Sequence, residues 1–112
     1  MNLSEQQQLF AKDVGTLINY IYAQSYSCTF GEAFRTHEQA VIYAKEGKGI
    51  VDSLHCQRLA IDLNLFKDGK YLTDFKDYER FGCMWESLDI KNRWGGRFKP
   101  LIDSNHFERR PD

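Results

Sequence analysis

In the stretch Ser53-Leu54-His55-Cys56-Gln57-Arg58-Leu59-Ala60-Ile61-Asp62-Leu63-Asn64-Leu65-Phe66, the residues Leu59, Ile61, Leu63 and Leu65 alternate with Ala60, Asp62 and Asn64. Successive side chains of an extended chain point to opposite faces, so Arg58 to Phe66 predicts a half-buried β-strand with one aliphatic face. Asp62 falls on the other face, where its carboxylate has a fixed direction. His55 stands upstream of it, and a second short run, Asp103-Ser104-Asn105-His106-Phe107-Glu108, sets another carboxylate and imidazole three residues apart. Two imidazoles and one carboxylate fill three protein positions of a tetrahedral zinc site and leave the fourth for water, as a catalytic site requires. A spare carboxylate beside that water would serve as base. The long interval between the two histidines carries no spacing signal, so residue types alone leave the ligand set open. His37 follows a helix cap and reads as structural or exposed.

Working outward, Ser4 and Gln7 form a capping-box pattern, and Leu9, Phe10, Val14, Leu17, Ile18, Ile21 and Tyr22 recur at helical steps, predicting an amphipathic helix from about Glu5 to Ala23. Tyr26 to Phe30 reads as a short strand ended by Gly31. Thr36 with Gln39 opens a second helix that stops at Gly47, which puts Arg35 just ahead of a helix start. The loop Gly47 to Ser53 lacks the order of a phosphate-binding P-loop. Asp68-Gly69 predicts a turn, with Tyr71-Leu72 returning as a brief antiparallel strand. Thr73 or Asp74 caps a third helix whose Phe75, Tyr78, Phe81, Trp85 and Leu88 face the core, with Gly82 interrupting it. From Asp89 onward, Gly95-Gly96 and Pro100 predict a loop, then a last strand from about Asn105 to Glu108 and a frayed tail from Arg109 to Asp112.

A chain of 112 residues suits one domain with one core. Fifteen basic and sixteen acidic residues leave a net charge of -1, so there is no overall basic field to recommend nucleic acid or an anionic membrane. The basic run Lys91 to Arg110 reads as solvated surface. Three cysteines without C-x-x-C spacing indicate neither a disulfide framework nor a cysteine-zinc knuckle, and Cys56 reads as a small, partly buried thiol. No apolar run is long enough to span a bilayer, and the N-terminus lacks a secretory pattern, so the product is expected to begin in the cytoplasm.

Ser53-x-His55-x-x-x-x-Ala60-x-Asp62-Leu63, then Trp94-Gly95-Gly96, then Asp103-x-x-His106-Phe107 resembles the signature of the zinc D-Ala-D-Ala carboxypeptidase and L-alanyl-D-glutamate endopeptidase family, and Arg35-Thr36-x-Glu38-Gln39 resembles its upstream arginine motif. The resemblance covers about Phe30 to Glu108 and is nearest to the endopeptidase branch that includes phage endolysins. It implies an α+β fold, a small antiparallel sheet flanked by helices of the hedgehog and DD-peptidase type, forming a single domain over residues 1–112. It also implies that His55, Asp62 and His106 bind one zinc ion, that Asp103 is the general base, and that Arg35 holds an oxyanion or a substrate carboxylate. Ser53 would orient substrate or a ligand, and Glu108 would support the ligands from behind. Arg58 departs from the family, where many relatives have glycine. The function implied is a phage or prophage endolysin that cuts the peptidoglycan stem peptide, acts as a monomer, inserts in no membrane, and stays in the host cytoplasm until released to the wall. The alternatives are a D-Ala-D-Ala carboxypeptidase or dipeptidase, and a non-catalytic zinc-stabilised binding domain.

Overall fold

Three α-helices and five β-strands are formed in the computed structural model among the described residues, 1–111. Helix α1 (Leu3–Ala23) precedes strand β1 (Ser27–Phe30), helix α2 (His37–Lys45), strand β2 (Ala60–Lys67) and strand β3 (Lys70–Tyr71). Helix α3 (Phe75–Leu88), strand β4 (Asn92–Trp94) and strand β5 (His106–Arg109) complete the order, with 3-10 turns at Leu54–Gln57 and Gly95–Arg97. The sheet runs β1-β2-β5-β4, with β3 also paired to β2, and every pairing is antiparallel. Helices flanking a small antiparallel sheet are the α+β arrangement expected from the sequence.

Strand β2 organises the molecule. Leu59, Ile61, Leu63 and Leu65 are buried against Phe10, Val14, Leu17 and Ile21 of α1 and Tyr78, Phe81 and Trp85 of α3. Trp85 links the layers, packing edge-on against Phe10 and Phe107, while its indole N–H donates to the Glu108 carbonyl at 3.0 Å. An indole buried with its N–H satisfied contributes its full apolar area without a polar penalty. At the Asp68-Gly69 turn both residues have positive φ, 52° and 78°, which matches the twist of the β2–β3 hairpin.

Several details differ from the sequence reading. The cap of α1 is Asn2, not Ser4: the Asn2 side chain accepts from Glu5 N–H at 2.8 Å, and the Glu5 carboxylate accepts from Asn2 N–H at 3.0 Å. Asp74 caps α3 by position, without a side-chain hydrogen bond. The segment after Asp89 contains a strand, β4, too short to show alternation. Arg109 does not fray: it is 1% exposed in β5, donating to Gln6 at 2.6 Å and to Asp89 at 2.8 Å, so part of the basic run is buried structure rather than solvated surface. The Asp112 end of the expected tail lies outside the described residues.

Candidate metal centre

Antiparallel register builds the site. Asp62 lies directly opposite His106, and Arg93 lies opposite Glu108, while Phe107 lies opposite Ile61 and Trp94. Alternation therefore sends Phe107, Ile61 and Trp94 into the core and sends Asp62, His106, Glu108 and Arg93 to the other face. His55 arrives differently. It sits in the 3-10 turn Leu54–Gln57, not on extended chain, and the buried Ser53 caps that turn by accepting His55 N–H on its hydroxyl at 3.2 Å.

The three groups converge. His55 Nε2 is 3.4 Å and His106 Nδ1 is 3.2 Å from Asp62 Oδ1, and one donor atom from each residue lies within 4.8 Å of the others. Donors bound tetrahedrally to zinc at about 2.0–2.1 Å stand roughly 3.3–3.5 Å apart, so the set has the chemistry and spacing for that ion. Behind the donors, His106 Nε2 meets Glu108 at 2.7 Å, and Glu108 is ion-paired to Arg93. Without metal both ring nitrogens face carboxylates; a metal that displaced the proton from Nδ1 would leave the other proton on Nε2, held by Glu108, with Nδ1 as the ligand atom.

Asp103 stands at the edge, 54% exposed, with a carboxylate oxygen 3.8 Å from His106 Nδ1. Its position depends on Gly95: a Cβ there would lie 2.2 Å from the Asp103 carbonyl oxygen and 2.8 Å from His106 Cβ. Asp103 N–H also donates to the Gly95 carbonyl at 2.9 Å. The Trp-Gly-Gly run is thereby explained as packing, since Gly96 lies flat against the Trp94 ring. Arg35 borders the same cleft of about 680 Å³, together with Lys48, Ile50, Arg93 and Leu101. Its guanidinium is held by Glu32, at 2.7 Å from Nε. Glu32 belongs to no motif read from the sequence, and only its place three residues before Arg35 could have drawn notice.

Arg58 closes the 3-10 turn in the left-handed conformation, φ 56° and ψ 38°, a backbone position that glycine adopts without strain. Its guanidinium stacks 4.0 Å over Phe34 and lines a separate apolar groove away from the donors. Relief of the left-handed strain, about 1 kcal/mol, and loss of that stack, about 0.5–1 kcal/mol, nearly cancel. Arg58→Gly is thus expected to leave zinc content unchanged and to shift stability by less than about 1 kcal/mol in a denaturant titration.

Charge is tightly coupled here. Burial works to raise the Asp62 pKa, but hydrogen bonds and charge from His106 and His55 outweigh it and hold the group at about 2. Burial likewise works to lower His106, while Asp62 and Glu108 raise it to about 9. For Asp103, desolvation at the cleft wall raises the pKa, His106 opposes, and the charge of Asp62 adds to the rise. Because the folded His106 value lies above its ordinary 6.5, the protonated ring adds stability that is complete below pH 6.5 and lost as pH rises through 9. Asp62 lies below its ordinary 3.8, so its contribution is complete above that value and lost as pH falls through 2. Metal-free protein is expected to be most stable between these limits and to lose on the order of 2–3 kcal/mol towards pH 9. Thermal melts in chelator check this; a melting temperature that is flat or rising from pH 6.5 to 9 contradicts it.

A family model described as D-alanyl-D-alanine carboxypeptidase matches residues 46–109, which include all three donor residues and Asp103. No curated protein matches the chain. Among solved structures, the Serratia marcescens L-Ala D-Glu endopeptidase ChiX is similar with a TM-score of 0.72 at 19% identity, over 95% of this chain and 84% of that one. A mutant of the vancomycin-resistance D,D-pentapeptidase VanY in complex with Zn(II) is similar with a TM-score of 0.55 at 16% identity, over 89% of this chain and 70% of that one. At these identities the two likenesses speak for the fold.

Proposed function

Because the chain belongs to the D-alanyl-D-alanine carboxypeptidase family, we propose that it is an L-alanyl-D-glutamate endopeptidase that cuts the peptidoglycan stem peptide in phage or prophage lysis. The family's members are zinc-dependent peptidases acting on peptidoglycan. The observation that supports a catalytic rather than a binding role is the half-exposed Asp103 carboxylate beside three converged donors on the wall of an open cleft. A site that merely held a binding domain together would need four protein ligands and no free base.

His55, Asp62 and His106 would hold one zinc ion. When bound, that ion supplies Lewis acidity, polarising a carbonyl and bringing the pKa of a water towards about 7. Asp103 takes the proton of the attacking water and passes it to the leaving amine. Arg35 meets negative charge developing on the carbonyl oxygen. Glu108 keeps the His106 ring turned towards Asp62, and Ser53 fixes the backbone of His55. Arg35, Lys48 and Arg93 along the cleft suit a peptide bearing free carboxylates, as the stem peptide does.

Mass spectrometry of muropeptides after digestion tests the reading. New N-terminal D-glutamate ends are expected. Released D-Ala would instead favour the carboxypeptidase reading, for which the family's description speaks, and intact muropeptides with zinc bound would favour a binding domain. In the proposed role the enzyme waits in the host cytoplasm, so lysis on expression should require a co-expressed membrane-permeabilising holin.

A further inference from the structure

His55 is buried, and its two ring nitrogens have unequal surroundings. Nε2 faces Asp62 at 3.4 Å, whereas Nδ1 makes no hydrogen bond and faces Glu32 Oε1 at 3.7 Å. His106 shows what a completed arrangement looks like, with its far nitrogen on Glu108 at 2.7 Å. An imidazole that ligates a metal ordinarily donates its other N–H to a carboxylate or carbonyl, which sets the tautomer and the ring plane. We propose that Glu32 is a positioning residue serving two site side chains at once, fixing His55 as the tautomer with Nε2 directed at Asp62 and aiming Arg35 into the cleft.

The backbone makes this placement firm. Gly31 N–H donates to the Asp62 carbonyl at 2.7 Å, Asp62 N–H donates to the Glu32 carbonyl at 2.9 Å, and Arg35 N–H donates to the His55 carbonyl at 3.2 Å. The segment from β1 to α2 is therefore laced to both donor-bearing segments, and a Cβ at Gly31 would already press on Asp62 Cβ at 3.0 Å. The Glu32 side chain, 25% exposed, puts a single oxygen between the Arg35 guanidinium, 2.7 Å from Nε, and the His55 ring. One negative charge on that oxygen orients both cationic or donating groups, so the oxyanion-facing arginine and the histidine donor share a support.

The inference rests on the zinc-peptidase reading only in taking His55 as a ligand, and its test needs no substrate. Zinc affinity is measured by competition with a chromogenic chelator for the wild type, Glu32→Ala, Glu32→Gln and Arg35→Ala. The His55 tautomer is read by long-range proton–nitrogen correlation in the zinc-free proteins. Glu32→Ala is expected to weaken zinc binding about 10- to 100-fold and to broaden the His55 Nδ1–H signal. Glu32→Gln, which keeps an acceptor oxygen and nearly the same shape, is expected to lie between, and it decides the matter should the alanine variant fail to fold. Arg35→Ala is expected to bind zinc no more weakly than the wild type. If Glu32→Ala and Glu32→Gln both fold, hold zinc as tightly as the wild type and keep the tautomer, the proposal is overturned and Glu32 serves Arg35 alone. A wild type that binds zinc but leaves muropeptides uncut defeats the peptidase reading and leaves this one standing.

Discussion

Asp103→Asn is expected to lower hydrolysis of purified peptidoglycan by about 10²- to 10⁴-fold, the range a positioned general base contributes, while zinc content and melting temperature stay at wild-type values. The substitution keeps size and polarity, and the Asp103 backbone contacts to Gly95 and His106 do not involve the side chain. With its carboxylate 54% exposed, Asp103 carries little of the fold. What Asn cannot do is accept a proton. The contrast is with His106→Ala, which removes a donor and leaves Glu108 and Asp62 without their shared partner, so metal content itself should fall. Turnover and metal content thus separate the two roles. An Asp103→Asn protein that digests wall at the wild-type rate would end the general-base assignment.

Why the pair could be suspected before the fold was in hand, and why Glu32 could not, comes down to which forces leave a periodic trace. Alternation in Leu59 to Leu65 reports burial of one face, and it directs Asp62 to the other whatever the strand pairs with. Register leaves no such trace. That Asp62 meets His106 depends on β2 pairing with β5 rather than only with its hairpin neighbour, a long-range choice made by packing. Strand β4 is three residues long, too brief for period two to show, yet it brings Arg93 to Glu108 and Trp94 to α3. Glu32 sits in irregular chain, where an acidic residue is unremarkable until Arg35 and His55 are seen around it. Arg109 misled for a related reason: a charged residue near a terminus is ordinarily solvated, and its burial is made tolerable by Gln6 and Asp89, both distant in sequence.

Gly82 and Gly15 should respond to the same substitution with opposite signs. Both lie inside helices, where alanine is favoured over glycine by about 0.8–1 kcal/mol. At Gly15, exposed on α1, a Cβ meets nothing within 4 Å, so Gly15→Ala is expected to stabilise by nearly that amount. At Gly82, in the middle of α3, a Cβ would stand 2.1 Å from Trp94 Cδ2 and 2.5 Å from two further ring atoms. The indole cannot retreat, because a Cβ at Gly96 would meet the same ring at 2.2 Å and the indole N–H is tied to the Ser104 carbonyl at 2.7 Å. Overpacking of this kind costs about 1–3 kcal/mol or more, so it exceeds the helix gain and Gly82→Ala is expected to destabilise by about 2 kcal/mol or more. Because Trp94 leads directly into Gly95, whose carbonyl accepts from Asp103 N–H and beside which even a Cβ would collide with the Asp103 carbonyl and His106, displacement of the ring should reach the donors, and zinc affinity should fall with stability. Denaturant titrations of the two variants, with zinc affinity measured alongside, decide it. Equal gains at both positions would mean that Trp94 has room to move, and the tie between this helix glycine and the metal centre would be lost.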